Sequence, residues 1–266
     1  MSIIVHPEFK KLYEKYTDLK EQLEKLILNQ DELTERICPI IKNDYLIKFG
    51  FLEYKVYTLE VELSRIKRKI TMVQQRINHE KEINLEEIEN QLNDEFEEFE
   101  ERIQIQMDEL NDAIALNNFK GLLTSEELKE LKNLYKQIIK KLHPDLNKDL
   151  SEAEKLLFLN SVNAFKRGDL EILRGIALIL SEENEDFKEY SNIDSIKKEI
   201  IELNHQIDRV SNNIAKIKGE YPYNKLDLLN DPEKSEEYIL TLNDIIESKK
   251  ELIKKFNLRC DELLEN

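Results

Sequence analysis

The sequence predicts an all-α protein in which a short helical hairpin is held between long antiparallel coiled-coil helices. Three observations lead there. Charged residues make up 36% of the 266, Gly and Pro supply five each, and Trp is absent; a chain so rich in Leu, Ile, Glu and Lys has the composition of long helices. Between the few Gly and Pro residues the apolar side chains recur at spacings of three and four, the period of a helix with one narrow buried stripe. Strand-like alternation is lacking. The length suffices for one or two packed units with sizeable cores.

In chain order, the first stripe reads Leu12, Tyr16, Leu19, Leu23, Leu26, Gln30, Leu33 and Ile37, and is expected to stop at Pro39. A second runs Tyr45, Phe49, Leu52, Val56, Leu59, Leu63, Ile66, Ile70, Val73 and Ile77. The third begins at Asn84, where Asn-Leu-Glu-Glu has the spacing of a capping box, and carries Leu85, Ile88, Leu92, Phe96, Phe99, Ile103, Met107, Leu110 and Ile114. Its surface is acidic over residues 86–109, which reads as a solvated face. Short connections suggest that these helices fold back on one another, so residues 1–119 form an N-terminal coiled-coil bundle.

Residues 120–182 differ in character. Thr124 and Glu127 have capping-box spacing and open a helix whose buried face is Leu128, Leu131, Tyr135, Ile138 and Leu142. From 131 to 142 that helix holds Lys132, Lys136, Lys140 and Lys141 and no acidic residue, a local basic strip in a chain of net charge −16. It must end near His143, because the residue before a proline is disfavoured in the α region. Ser151 and Glu154 form a second capping box. The helix they open presents Leu157, Phe158, Val162, Ala164 and Phe165 and ends at Gly168. Two helices joined by so short a loop pack as an antiparallel hairpin, with His143, Pro144 and Asp145 at its tip.

Residues 183–192 read as a linker, and residues 193–266 as an antiparallel coiled-coil hairpin. Its first arm carries Ile193, Ile196, Ile200, Leu203, Ile207, Val210, Ile214 and Ile217. After a turn over residues 219–231, Asp231 and Pro232 read as an N-cap with proline at the first helical position. The return stripe is Ile239, Leu242, Ile246, Lys249, Ile253, Phe256, Cys260 and Leu263, interrupted only by Lys249.

The stretch Leu-Lys-Asn-Leu-Tyr-Lys-Gln-Ile-Ile-Lys-Lys-Leu-His-Pro-Asp-Leu-Asn over residues 131–147 resembles the second helix and signature loop of the J-domain (DnaJ-like) family. Tyr135 falls where the family has its helix II tyrosine, Lys132 and Lys136 match its basic positions, and Asn147 matches the residue that often follows the tripeptide. Phe158, Ala164 and Phe165 keep the spacing of the family's third helix. The resemblance covers about a quarter of the chain, of the J-domain-only type. No first-helix motif is clear, and residues 117–123 or the end of the acidic helix are expected to substitute for it.

What the resemblance implies is a co-chaperone that binds a DnaK-type ATPase and stimulates its ATP hydrolysis, with no bond broken by this chain and no cofactor. Asp145, held by the rigid Pro144, would accept charge-assisted hydrogen bonds from a partner arginine. His143 would shape the loop, and Tyr135, Lys132, Lys136, Lys140 and Lys141 would face an acidic patch on the chaperone.

The remaining function classes are weaker. His143 and Asp145 as a hydrolytic dyad lack a nucleophile, a phosphate loop and metal-ligand spacing. Cys38 and Cys260 are the only cysteines, so neither a zinc site nor a disulfide framework is expected, and a reduced, cytoplasmic setting fits. The first residues lack the pattern of a signal peptide, and the most apolar run, residues 176–180, is far too short to span a bilayer. A pI near 4.9 argues against nucleic-acid binding; such an arm would rest on Arg65, Lys67, Arg68 and Lys69. The main rival is a coiled-coil scaffold or tether whose J-like hairpin no longer engages a chaperone. The coiled coils also leave room for protein partners or self-association.

Overall fold

The computed structural model describes residues 7–118, 123–181 and 193–265, and among them every regular element is helical. The expected linker over 183–192, and most of the segment expected to stand in for a first J-domain helix, lie outside the described residues. Helix α1 spans Pro7–Glu32, α2 Cys38–Tyr45 and α3 Phe51–Asn78, and two single π-helical turns, Leu33–Ile37 and Leu46–Gly50, join them. The helix therefore does not stop at Pro39, contrary to expectation. Proline removes one N–H and crowds the preceding turn. Here the N–H of Cys38 donates to the carbonyl of Leu33, five residues back. That wider turn just ahead of Pro39 absorbs the mismatch.

The remaining elements are α4 (Leu85–Asn118), α5 (Ser125–Leu142), α6 (Glu152–Arg167), α7 (Leu170–Ser181), α8 (Ile193–Gly219), a 3-10 turn (Tyr223–Lys225), α9 (Leu226–Asn230) and α10 (Pro232–Glu265). They divide into two units. One joins Met1–Ile40 to Gly121–Asn224; the other joins Ile41–Lys120 to Lys225–Asn266.

In the first unit α8 packs along α1. Lys197, in the first turn of α8, lies 3.2 Å from Glu8, in the first turn of α1, so these two helices of similar length run parallel. The buried stripe of α8 is the predicted one: Ile196, Ile200, Leu203, Ile207, Val210 and Ile214. Its partner is not. The expected antiparallel hairpin of residues 193–266 does not form, and its two arms belong to different units. An apolar seam specifies that a helix pairs, while partner and direction depend on contacts outside the seam. Leu23, Ile27 and Leu33 of the first helical run share one core with α5, α6, α7 and α8.

In the second unit α10 packs along α3, again in parallel. Tyr238 donates to Glu53 at 2.6 Å, Lys249 lies 3.7 Å from Glu60, and Lys67 sits 5.1 Å from the Phe256 ring centroid. These partners advance together along both helices. Lys249, which breaks the apolar stripe, thus reaches across the seam to an acid on the facing helix. Asp231 caps α10 as expected, accepting from the N–H groups of Glu233 and Lys234 at 3.1 and 3.2 Å. Helix α4 returns antiparallel along α3, through Arg76–Glu87, Lys69–Glu89 and Arg68–Glu95, and reaches α2 through Lys42–Glu109. It approaches closely at Gly50, where a Cβ would stand 3.2 Å from a Leu110 methyl group. Val61, Met72, Val73, Ile88, Leu92 and Phe96 make the core beneath. Several acids of residues 86–109 therefore neutralise α3 instead of facing only water. Arg65, Lys67, Arg68 and Lys69 are engaged within this unit.

Candidate functional site

In the first unit a short loop joins α5 to α6. Thr124 and Ser151 each accept from the backbone N–H three residues on, and the carboxylates of Glu127 and Glu154 each accept from the capping residue's own N–H. Both capping boxes are thus complete and fix where α5 and α6 begin. Gly168 ends α6 with φ of 73°, a left-handed conformation that glycine adopts without strain. Helix α5 buries Leu131, Tyr135, Ile138, Ile139 and Leu142. The hairpin is antiparallel, because Tyr135 stacks on Phe165 with ring centroids 4.1 Å apart, while His143 meets Phe158 edge-on at 5.1 Å. Helix α7 runs back beside α5. Arg174 holds Glu130 with two hydrogen bonds of 2.7 and 2.8 Å, and Lys141 donates to the carbonyl of Leu180 at 2.7 Å.

The loop after α5 is folded by its own hydrogen bonds. His143 leaves the helix in an extended conformation, with φ −70° and ψ 127°, as a residue before proline should. Its carbonyl accepts from the N–H groups of Leu146 and Asn147 at 3.0 and 2.9 Å. The Asn147 side chain donates to the Lys140 carbonyl at 3.2 Å, tying the loop back to α5. Asp145 donates its N–H to Nδ1 of His143 at 3.0 Å. For that bond Nδ1 must carry a lone pair, so the imidazole is neutral. Burial agrees, since it holds the His143 pKa below the ordinary 6.5, with the nearby Asp145 opposing and Arg209 reinforcing the shift. Pro144 stands exposed at the tip.

The carboxylate of Asp145 is not free. Arg209, the one arginine of α8, donates to its Oδ2 at 2.8 Å. Helix α1 engages α5 in the opposite sense of charge. Lys132 lies 2.5 Å from Glu32, and the Tyr135 hydroxyl donates to Asp31 at 2.8 Å. Glu21 is held below the ordinary carboxylate range by its hydrogen bond with Lys25, with smaller contributions from Lys136 and Lys140. The Asp31 pKa is raised to about 6, chiefly by burial and with added push from the charges of Glu35 and Asp145, against the lowering effect of the Tyr135 bond. Arg36, delivered by the π turn, stacks its guanidinium 5.3 Å from the Phe165 ring centroid, beside the Tyr135–Phe165 pair.

The predicted residues thus fall into three groups. Lys136, Lys140 and Pro144 are exposed. Lys132, Lys141, His143 and Asp145 are half-buried, and each has an intramolecular partner. Tyr135 is 0% exposed, its ring stacked on Phe165 and its hydroxyl bonded to Asp31, so it offers no surface to a partner. Sequence reasoning missed Asp31, Glu32 and Arg209. No local motif marks them, for each sits on the flank of a coiled-coil stripe where charged residues are ordinary. Among the described residues no cluster of His, Cys, Asp or Glu is arranged to hold a metal ion, and no helix is long and apolar enough to cross a membrane. No family model matches the chain, and neither a curated protein nor a solved structure is significantly similar to it.

Proposed function

We propose that this chain is a J-domain-type co-chaperone that binds a DnaK-type ATPase and stimulates its ATP hydrolysis through the loop of His143, Pro144 and Asp145. The observation that carries this reading is the pairing of Asp145 with a guanidinium at 2.8 Å. The loop is a rigid turn whose outward carboxylate already accepts from an arginine, the contact that a chaperone arginine would make. Neutral His143, wedged edge-on against Phe158, fixes the turn from within. Exposed Lys136 and Lys140 supply positive charge beside it, which speeds encounter with an acidic surface and orients it. The chemistry stays on the chaperone, and a cytoplasmic setting goes with this reading.

A coiled-coil scaffold is the second reading, favoured by the complete burial of Tyr135. Single-turnover ATP hydrolysis by the DnaK-type partner, with wild type and Asp145→Asn side by side, separates the two. The amide keeps the side chain's shape and removes its charge. Loss of a charge-assisted bond weakens coupling by about 1.5–3 kcal/mol, or roughly ten- to a hundredfold. Stimulation by the wild type and none by the variant supports the co-chaperone. Equal stimulation by both removes the loop as the working site, and stimulation by neither favours the scaffold.

A further inference from the structure

We propose that α1 and α8 are an intramolecular stand-in for the chaperone, holding the working face of the J-like hairpin closed until the partner displaces them. This inference rests on the co-chaperone reading and adds its regulation.

Three observations converge on it. Parts of the assigned face on both α5 and the loop are engaged from these two helices: Asp145 by Arg209 at 2.8 Å, the Tyr135 hydroxyl by Asp31 at 2.8 Å and Lys132 by Glu32 at 2.5 Å. The charges are also sorted by sign. Helix α1 meets the basic helix with acids, and α8 meets the acidic loop residue with its single arginine. An external partner that supplies an acidic patch and an arginine to the same atoms needs the same space, so the two occupants are mutually exclusive. Finally, the closure differs in strength along its length. At the α1 end it rests on apolar burial, with Leu23 and Ile27 sharing a core with α5. At the loop end it rests on exposed ion pairs, Arg209 with Asp145 at 2.8 Å (57% and 38% exposed at the side chain) and Lys148 with Glu202 of α8 at 3.6 Å. A pair of that kind is weak and readily exchanged. The partner would therefore capture Asp145 first, by replacing Arg209, and gain Tyr135 only as α1 lifts from α5.

A site that is open in only a fraction of molecules binds with an apparent affinity reduced by that fraction. Arg209→Glu replaces attraction by repulsion at the loop and so raises the open fraction. Its exposed position on α8 leaves the packed core untouched, and helical content by circular dichroism checks this.

The test uses the full chain in four forms: wild type, Arg209→Glu, Asp145→Asn and the double variant. Each is titrated into the DnaK-type ATPase, and amide hydrogen exchange over residues 143–147 is followed in the absence of chaperone. The expected result is half-maximal stimulation at roughly three- to tenfold lower concentration for Arg209→Glu than for wild type. Loop amides should exchange faster by a similar factor, and neither Asp145→Asn protein should stimulate. Equal stimulation and equal exchange in wild type and Arg209→Glu overturn the latch and leave the co-chaperone reading standing. Faster exchange in Arg209→Glu with no stimulation by any form removes the co-chaperone reading. The latch falls with it, since a contact that shields no working face regulates nothing.

Discussion

The hydroxyl of Tyr135 donates a 2.8 Å hydrogen bond to the carboxylate of Asp31, a residue 104 positions earlier in the chain. The bond ties the helix bearing the basic strip to the first helix of the protein. It also places a carboxylate in a site whose burial disfavours its charge.

Asp31→Asn should therefore stabilise the first unit at neutral pH. With its pKa raised from 3.8 to about 6, Asp31 binds a proton in the native state that the unfolded chain lacks between those values. Its contribution to stability is greatest below about pH 4 and is lost as the pH rises through 6. Asparagine keeps an acceptor for Tyr135 without the charge. A gain of roughly 1–3 kcal/mol is expected in urea unfolding at pH 7.5, vanishing at pH 4. A loss at pH 7.5 would show that the charged bond outweighs its desolvation.

Tyr135→Phe tests the other partner. The ring and its stack on Phe165 remain, while Asp31 loses its donor, so a cost of about 1–3 kcal/mol is expected. Tyr135→Ala also empties a fully buried site and should cost about 3–5 kcal/mol. Thermal unfolding followed by circular dichroism ranks the pair; equal losses would mean that the ring contributes nothing beyond its hydroxyl.

His143 gives a pH dependence of opposite sign. Because its native pKa lies below 6.5, the unfolded chain takes up a proton before the native loop does. The stabilisation is complete above pH 6.5 and is lost as the pH falls through the window beneath it. Protonation also removes the lone pair that accepts from the N–H of Asp145. The ring resonances of His143 should titrate with a midpoint below 6.5, accompanied by faster exchange of the Asp145 amide. A midpoint above 6.5 would contradict the buried, neutral imidazole.

On the proposed co-chaperone reading, reversing Lys136 and Lys140 to Glu should weaken binding to a DnaK-type ATPase without unfolding α5 and α6, since both side chains are exposed. Added salt should weaken the wild type in the same direction, because exposed charges are screened. Binding by calorimetry at low and high salt checks both. Unchanged affinity of the double variant at low salt would leave the strip as solvated surface.

In the second unit, Glu53 accepts from the hydroxyls of Tyr45 at 2.5 Å and Tyr238 at 2.6 Å. Glu53→Ala removes this acceptor from the buried Tyr45 and the half-buried Tyr238 and should cost about 1–3 kcal/mol. Protection of α10 amides against hydrogen exchange should fall accordingly, and unchanged protection would show that the apolar seam alone holds α10 on α3.

What the sequence made legible was local. Helix starts at Thr124 and Ser151, the stop at Gly168 and most of the buried faces of α5 and α8 each follow from a few residues close together; on α5 the structure buries Ile139 as well and leaves Leu128 half-buried. Pairing was not legible. The stripe through Ile200 and Ile207 fits an antiparallel or a parallel neighbour, and α1 was selected by contacts such as Lys197 with Glu8 that no motif announces. Pro39 misled because a proline stops an α-helix but not one that widens by a single π turn. Within the candidate site, the tripeptide marked the loop, yet the partners of Tyr135 and Asp145, Asp31 and Arg209, come from elements remote in the chain.

The parallel pairing of α1 with α8 and of α3 with α10 has a consequence for how the protein is made. On the ribosome, α3 emerges about 150 residues before α10 begins. At synthesis rates of roughly 5–20 residues per second, its apolar seam waits on the order of ten to thirty seconds for a mate. The same holds for α1, whose partner follows at a similar distance. Neither unit can complete its core during most of translation, so nascent chains carry unpaired seams that invite association between neighbouring chains on one message.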